Sequence, residues 1–154
     1  MKKLLAAIAL FVLLVIIPSI SMAAGSVVAT KAVEGMITTL TYAWIGDAGT
    51  GAVPASISSS VRGWIVQAVT IPGTGTAPTD LYDITLTDGA TPALDLFGGA
   101  LADRSQTLKQ MVSPKNTAGA SVIPFFKGQL TLNITNQGVH SATGTVIVTI
   151  YNEP

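Results

Sequence analysis

Leu81-Tyr82-Asp83-Ile84-Thr85-Leu86-Thr87 is the stretch on which the fold class turns. Tyr82, Ile84 and Leu86 fall on one side of an extended chain; Asp83, Thr85 and Thr87 fall on the other. Period-two alternation is the mark of a strand with one buried face. Ala77-Pro78-Thr79-Asp80 bends the chain into this strand, and Asp88-Gly89 closes it as a turn.

The same reading extends in both directions. Leu40, Tyr42 and Trp44 alternate among Thr39, Thr41 and Ala43, with Ile37 out of phase. The loop Gly46-Asp47-Ala48-Gly49-Thr50-Gly51 follows. Val61 to Ile71 predicts a strand with Trp64, Val66, Ala68 and Thr70 on one face and Ile65, Val69 and Ile71 on the other. Gly63 within it marks a bulge or a close packing partner. Beyond Gly89, the cluster Leu94, Leu96, Phe97 and Leu101 around Gly98-Gly99 reads as a short helix or a buried loop, and Asp103 to Met111 as an exposed connection. Gln129–Thr135 and Thr143–Tyr151 both alternate, and Asn136-Gln137-Gly138 opens the loop between them, so the two are expected to pair antiparallel. The whole predicts an all-β fold: a single antiparallel β-sandwich over 24–154, immunoglobulin-like or jelly-roll-like.

Residues 1–23 read as something else. Lys2 and Lys3 precede an apolar run of 14 residues, Leu4 to Ile17. Pro18 ends any helix there, and Ser21-Met22-Ala23 offers small residues at the two positions that a signal peptidase reads. The run is short of the ~20 residues that span a bilayer. The expectation is a cleavable signal helix, cut after Ala23, and an exported protein of the periplasm or extracellular space.

About 130 of the 154 residues then remain, enough for one core. Removing Lys2 and Lys3 from 8 basic and 8 acidic residues leaves 6 against 8, a net charge of −2. That leaves no basic excess to hold phosphates, so no nucleic-acid partner is expected. Only 10% of the chain is charged, against roughly 25% in an average soluble domain. A neutral surface of Thr, Ser, Asn, Gln and Gly suits self-association. There are no cysteines, which excludes thiol catalysis, thiolate metal sites and a lipoprotein anchor.

Candidate chemical groups are few. Asp80, Asp83, Asp88 and Asp95 fall close in sequence, and converging carboxylates would suit Ca²⁺. Asp80 and Asp88 sit at opposite ends of a strand, however, roughly 25 Å apart at strand rise. They read as turn residues. His140 is the only histidine and has no partner at zinc-ligand spacing. No Gly-x-Ser-x-Gly elbow is present. Trp44, Trp64, Tyr42 and Tyr82 could stack on a sugar if exposed, but each shares its face with aliphatics and is expected in the core. The expectation is therefore no catalytic residue, no metal site and no cofactor.

Several segments carry a family resemblance. They are Gly63-Trp64, Pro72-Gly73, Ala77-Pro78-Thr79-Asp80-Leu81-Tyr82-Asp83-Ile84-Thr85-Leu86, Phe97-Gly98-Gly99-Ala100-Leu101-Ala102-Asp103-Arg104 and Leu130-Thr131-Leu132-Asn133. Through them the stretch from Trp44 to Tyr151 resembles a group of small β-rich proteins found in phage and bacterial genomes. Its phage members look like virion-associated structural proteins. The resemblance implies a structural or surface subunit whose partners are its own copies or other structural proteins, and it brings no catalytic residue. The signal-like start sets the chain apart from phage members, which assemble in the cytoplasm, and fits a domesticated or independently exported version. The competing expectation is a secreted module that binds a glycan or other ligand, in a Ca²⁺-dependent or independent form.

Overall fold

The computed structural model describes residues 23–152. The expected signal helix lies outside these residues but for Ala23. Nine strands run among the described residues: β1 Ser26–Glu34, β2 Ile37–Ile45, β3 Ser56–Ile57, β4 Val61–Pro72, β5 Asp83–Thr87, β6 Gln110–Val112, β7 Phe125–Gly128, β8 Thr131–Thr135 and β9 Thr143–Tyr151. All pairings are antiparallel, and no helix occurs among these residues.

The strands form two sheets. The larger runs β1-β2-β9-β4, with β6 and β7 sharing the far side of β4; the smaller runs β3-β8-β5. Both contribute to one core. Leu40, Tyr42, Trp44, Val146, Val148 and Ile150 come from the larger sheet, and Ile84, Leu86, Leu132 and Ile134 from the smaller. The alternation read in the sequence is realised here, since Tyr82, Ile84 and Leu86 are each buried.

Of four details, the first, second and fourth differ from the sequence reading, and the third settles an alternative that it left open. First, β8 and β9 do not pair. β8 lies between β3 and β5, while β9 lies between β2 and β4. The seven residues between them cross from one sheet to the other instead of closing a hairpin. Second, β4 changes face midway. Its register against β9 shifts between Ile65 and Gln67, so Gly63 and Ile65 point inward, then Ala68 and Thr70. One extra residue on the bulged strand reverses the alternation, and Trp64 therefore leaves the face of Ala68. Third, the Leu94–Leu101 segment is a loop, with Leu96, Phe97 and Leu101 buried and Leu94 exposed. Leu96 N–H donates to Leu86 O at 2.9 Å, which fixes it against β5. Fourth, β1 is an additional strand, joined to β2 through a two-residue turn at Gly35-Met36.

Two glycines are demanded by packing. Gly63 sits at φ +151°, and a Cβ there would lie 2.3 Å from Tyr151 O. This is the close partner its position in the sequence implied. Gly144 lies opposite Trp44 across the β2–β9 ladder. A Cβ on Gly144 would lie 2.5 Å from Trp44 Cζ2, so the missing side chain makes room for the indole.

Candidate functional site

The aspartates singled out in the sequence all accept from backbone N–H groups, Asp88 and Asp95 within their own loops and Asp80 and Asp83 from the distant 103–106 segment. Asp88 Oδ1 accepts from Ala90 N at 3.1 Å and Leu94 N at 2.9 Å. Asp95 accepts from Phe97 N and Gly99 N at 3.0 and 2.7 Å. Asp80 accepts from Gln106 N at 3.2 Å, and Asp83 from Asp103 N at 2.9 Å. Asp47 does the same for Gly49 and Thr50, at 2.8 and 2.7 Å. Those backbone N–H groups hold the carboxyls of Asp47 and Asp88 below their ordinary value. Among the described residues, no three His, Cys, Asp or Glu side chains come together in a metal-holding group. His140 lies in an exposed turn.

Gln137 was not singled out in the sequence, yet it ties three loops together. It is 8% exposed. Its Nε2 donates to Gly51 O at 2.7 Å and Val139 O at 2.9 Å, and its Oε1 accepts from Thr79 N and Val139 N, each at 3.0 Å. Its role is to close one end of the molecule. A glutamine in an Asn-Gln-Gly loop carries no sequence signal for that.

The outward surface of the larger sheet has a distinct chemistry. The outward positions of β2 are Ile37, Thr39, Thr41, Ala43 and Ile45; those of β9 are Thr143, Thr145, Ile147, Thr149 and Tyr151. Register places Thr41, Ile147, Val69 and Met111 in one row across four strands. No outward position on β2 or β9 is charged. Charge is confined to margins, with Glu34 at one corner and Arg62 with its cross-strand neighbour Lys127 near another. Five strand widths of ~4.8 Å by about nine residues of ~3.4 Å give roughly 700 Å². A standard interface takes about 800 Å² from each partner.

One end of this face is aromatic. Tyr151, Trp64 and Phe125 occupy one row on β9, β4 and β7 and are 41%, 37% and 42% exposed. Of the four aromatics expected in the core, Tyr42, Trp44 and Tyr82 are buried there. Trp64 is the correction: it precedes the register shift and so points outward. Phe125 was missed because it opens a strand, β7, that the sequence did not reveal, and Tyr151 because its strand was read for Val146, Val148 and Ile150. The Trp64 and Phe125 rings lie 5.2 Å apart at 68°, so they offer an edge and a face in place of one flat platform. The Arg62 guanidinium stands 5.9 Å over the Phe125 ring, and Tyr151 Oη donates to Met36 Sδ at 3.5 Å.

At the same end of the larger sheet, but reaching round to its inward side at Lys31, Val33 and Thr38, lies an open groove of about 560 Å³, lined also by Arg62, Lys127 and Asn152. Lys31 Nζ donates to Ser60 O at 2.8 Å and bridges its rim. The groove can take a polar or anionic group by charge and hydroxyl donors. Compared with protein-family models, curated proteins and solved structures, the chain matches none of them.

Proposed function

We propose that this protein is a non-enzymatic, exported β-sandwich subunit that works by assembling, with copies of itself or with other structural proteins. The two sheets would be the layers of an open sandwich, with the smaller covering part of the larger. The observation that carries the reading is the uncharged outward face of the larger sheet. The face as a whole has an area close to that of a standard interface, and its centre on β2 and β9 can meet another such face without desolvating a charge, with Glu34, Arg62 and Lys127 left at the margins. The resemblance to phage structural proteins points the same way.

The test is the solution mass by light scattering over a concentration series, for the native protein and for Ile147→Lys. Ile147 is central in the face and half-buried, so a lysine can reach water in the monomer but not in a packed interface. Concentration-dependent assembly that the substitution abolishes supports the reading. A monomeric mass at high concentration refutes it.

A second reading is a module that binds an anionic glycan, and the groove with Lys31, Lys127, Thr38 and Asn152 favours it. Its Ca²⁺-dependent form has no carboxylate cluster among the described residues to rest on. Titration with a sulfated oligosaccharide, against a neutral one of equal length, separates this reading from the first.

A further inference from the structure

Strand β1 is an open edge. Among the described residues its backbone pairs with β2 alone, through nine consecutive residue pairs without a bulge. Every residue but Val27 is exposed. Val27, Ala29, Lys31 and Val33 share the inward side, opposite Trp44, Tyr42, Leu40 and Thr38 of β2. Yet Val33 remains 57% exposed and lines the open groove. Edges of this length are ordinarily blunted by proline, a bulge or several charges. In β1 only Lys31, and Glu34 at the very end, are charged.

Two of the four pairs matched about Thr30 in β1 are apolar on both sides, and none sets like charges opposite each other. About Thr30 the matched positions are Ala29 with Lys31, Val28 with Ala32, Val27 with Val33, and Ser26 with Glu34. We propose that two copies of the protein join antiparallel along β1, with Thr30 on the two-fold axis, so that their larger sheets become one continuous sheet. The inference rests on the assembly reading and specifies one of its interfaces.

Register narrows the geometry. A two-fold axis perpendicular to the sheet keeps outward residues opposite outward residues, so register can slip only in steps of two. Centring on Thr30 pairs all nine residues. Centring on Lys31 sets two ammonium groups directly opposite each other, which is destabilising. Centring on Ala29 leaves Val33 and Glu34 facing Gly25 and Ala24, outside the strand. In the Thr30 register each exposed Val33 meets Val27 of the other copy, a β-branched pair on the uncovered side. Nine residues in this arrangement make eight or ten main-chain hydrogen bonds, within the range of about 10 ± 5 of a typical interface. The two Lys31 side chains become diagonal neighbours, at roughly 7–8 Å. Added salt therefore tightens the dimer.

The native chain has no cysteine, so Thr30→Cys carries a single thiol. In the proposed register the two Cβ atoms of position 30 lie roughly 5 Å apart. A short bismaleimide is expected to convert most of this variant to covalent dimer, and to leave Ala90→Cys, on an exposed loop well away from β1, monomeric. Light scattering is run on the same samples. An oligomeric mass with no more coupling at position 30 than at position 90 overturns this interface and leaves the assembly reading standing. A monomeric mass throughout overturns both.

Discussion

Gly144→Ala tests the fit between Trp44 and the strand beside it. The new Cβ would lie 2.5, 2.6 and 2.8 Å from Trp44 Cζ2, Cε2 and Nε1. Ordinary contact begins near 3.4 Å, so the indole must move by almost 1 Å. Trp44 is 1% exposed and packs against Tyr82, ring centroids 5.8 Å apart, so it cannot move without displacing the core. Overpacking of this kind costs about 1–3 kcal/mol. Trp44→Phe removes the atoms that clash. It loses roughly 50 Å² of buried ring, or about 1.3 kcal/mol at 25 cal/mol per Å². It also removes Nε1, which is buried without a hydrogen-bond partner, and so recovers part of a desolvation cost of ~1–3 kcal/mol. In the Trp44→Phe background the alanine methyl fills vacated space, and its intrinsic advantage over glycine in a strand, ~0.5–1 kcal/mol, is expressed. Urea unfolding of the four proteins, followed by far-ultraviolet circular dichroism, should give a coupling energy of about 1–3 kcal/mol, the overpacking that Trp44→Phe removes. Additive effects of the two substitutions would refute the argument that Gly144 exists to admit the indole.

Other outcomes follow from buried polar groups. Thr70 Oγ1 is buried without a hydrogen-bond partner, so Thr70→Val should stabilise by about 1 kcal/mol, raising the urea midpoint at an unchanged slope. Gln137→Ala strands Gly51 O and the N–H of Thr79, and should cost ~2–3 kcal/mol with faster proteolysis in the three loops it ties. Burial raises the phenols of Tyr42 and Tyr82 to about 12 from an ordinary 10.0. The unfolded chain ionises first as pH rises, so the stability they contribute is intact below pH 10 and is lost between 10 and about 12. Absorbance at alkaline pH should show these two tyrosines ionising together with the loss of circular dichroism, not before it.

The strands legible in the sequence are those with one face in the core. Leu81–Thr87, Leu40–Trp44 and Thr143–Tyr151 alternate because burial forces them to, and the buried sets in the structure match that alternation. β1 was illegible for the opposite reason. Both its faces are exposed, so nothing imposes a period on Ser26–Glu34, and it is a strand because β2 offers it a ladder. The short β3, β6 and β7 are likewise held by neighbours. The bulge in β4 was half legible: Gly63 flagged an irregularity, but the register shift falls two residues later and decides which way Trp64 points. Composition announced a neutral surface but not where it lies, because the outward face is a property of several strands aligned in register. No one strand of Thr, Val and Ile reveals it.

The place of β9 has a consequence for the order of events. It is the last of the nine described strands and it lies between β2 and β4, so the larger sheet has no continuous middle until Thr143–Tyr151 arrive. The β1–β2 hairpin can close early, but β4 is synthesised with no neighbour on the side that β9 will occupy. Contacts this distant along the chain form slowly. A growing polypeptide with this topology keeps facing edges of β2 and β4 unpaired until β9 is made. Deleting that strand would part the sheet down its centre, where losing β1 would only narrow it.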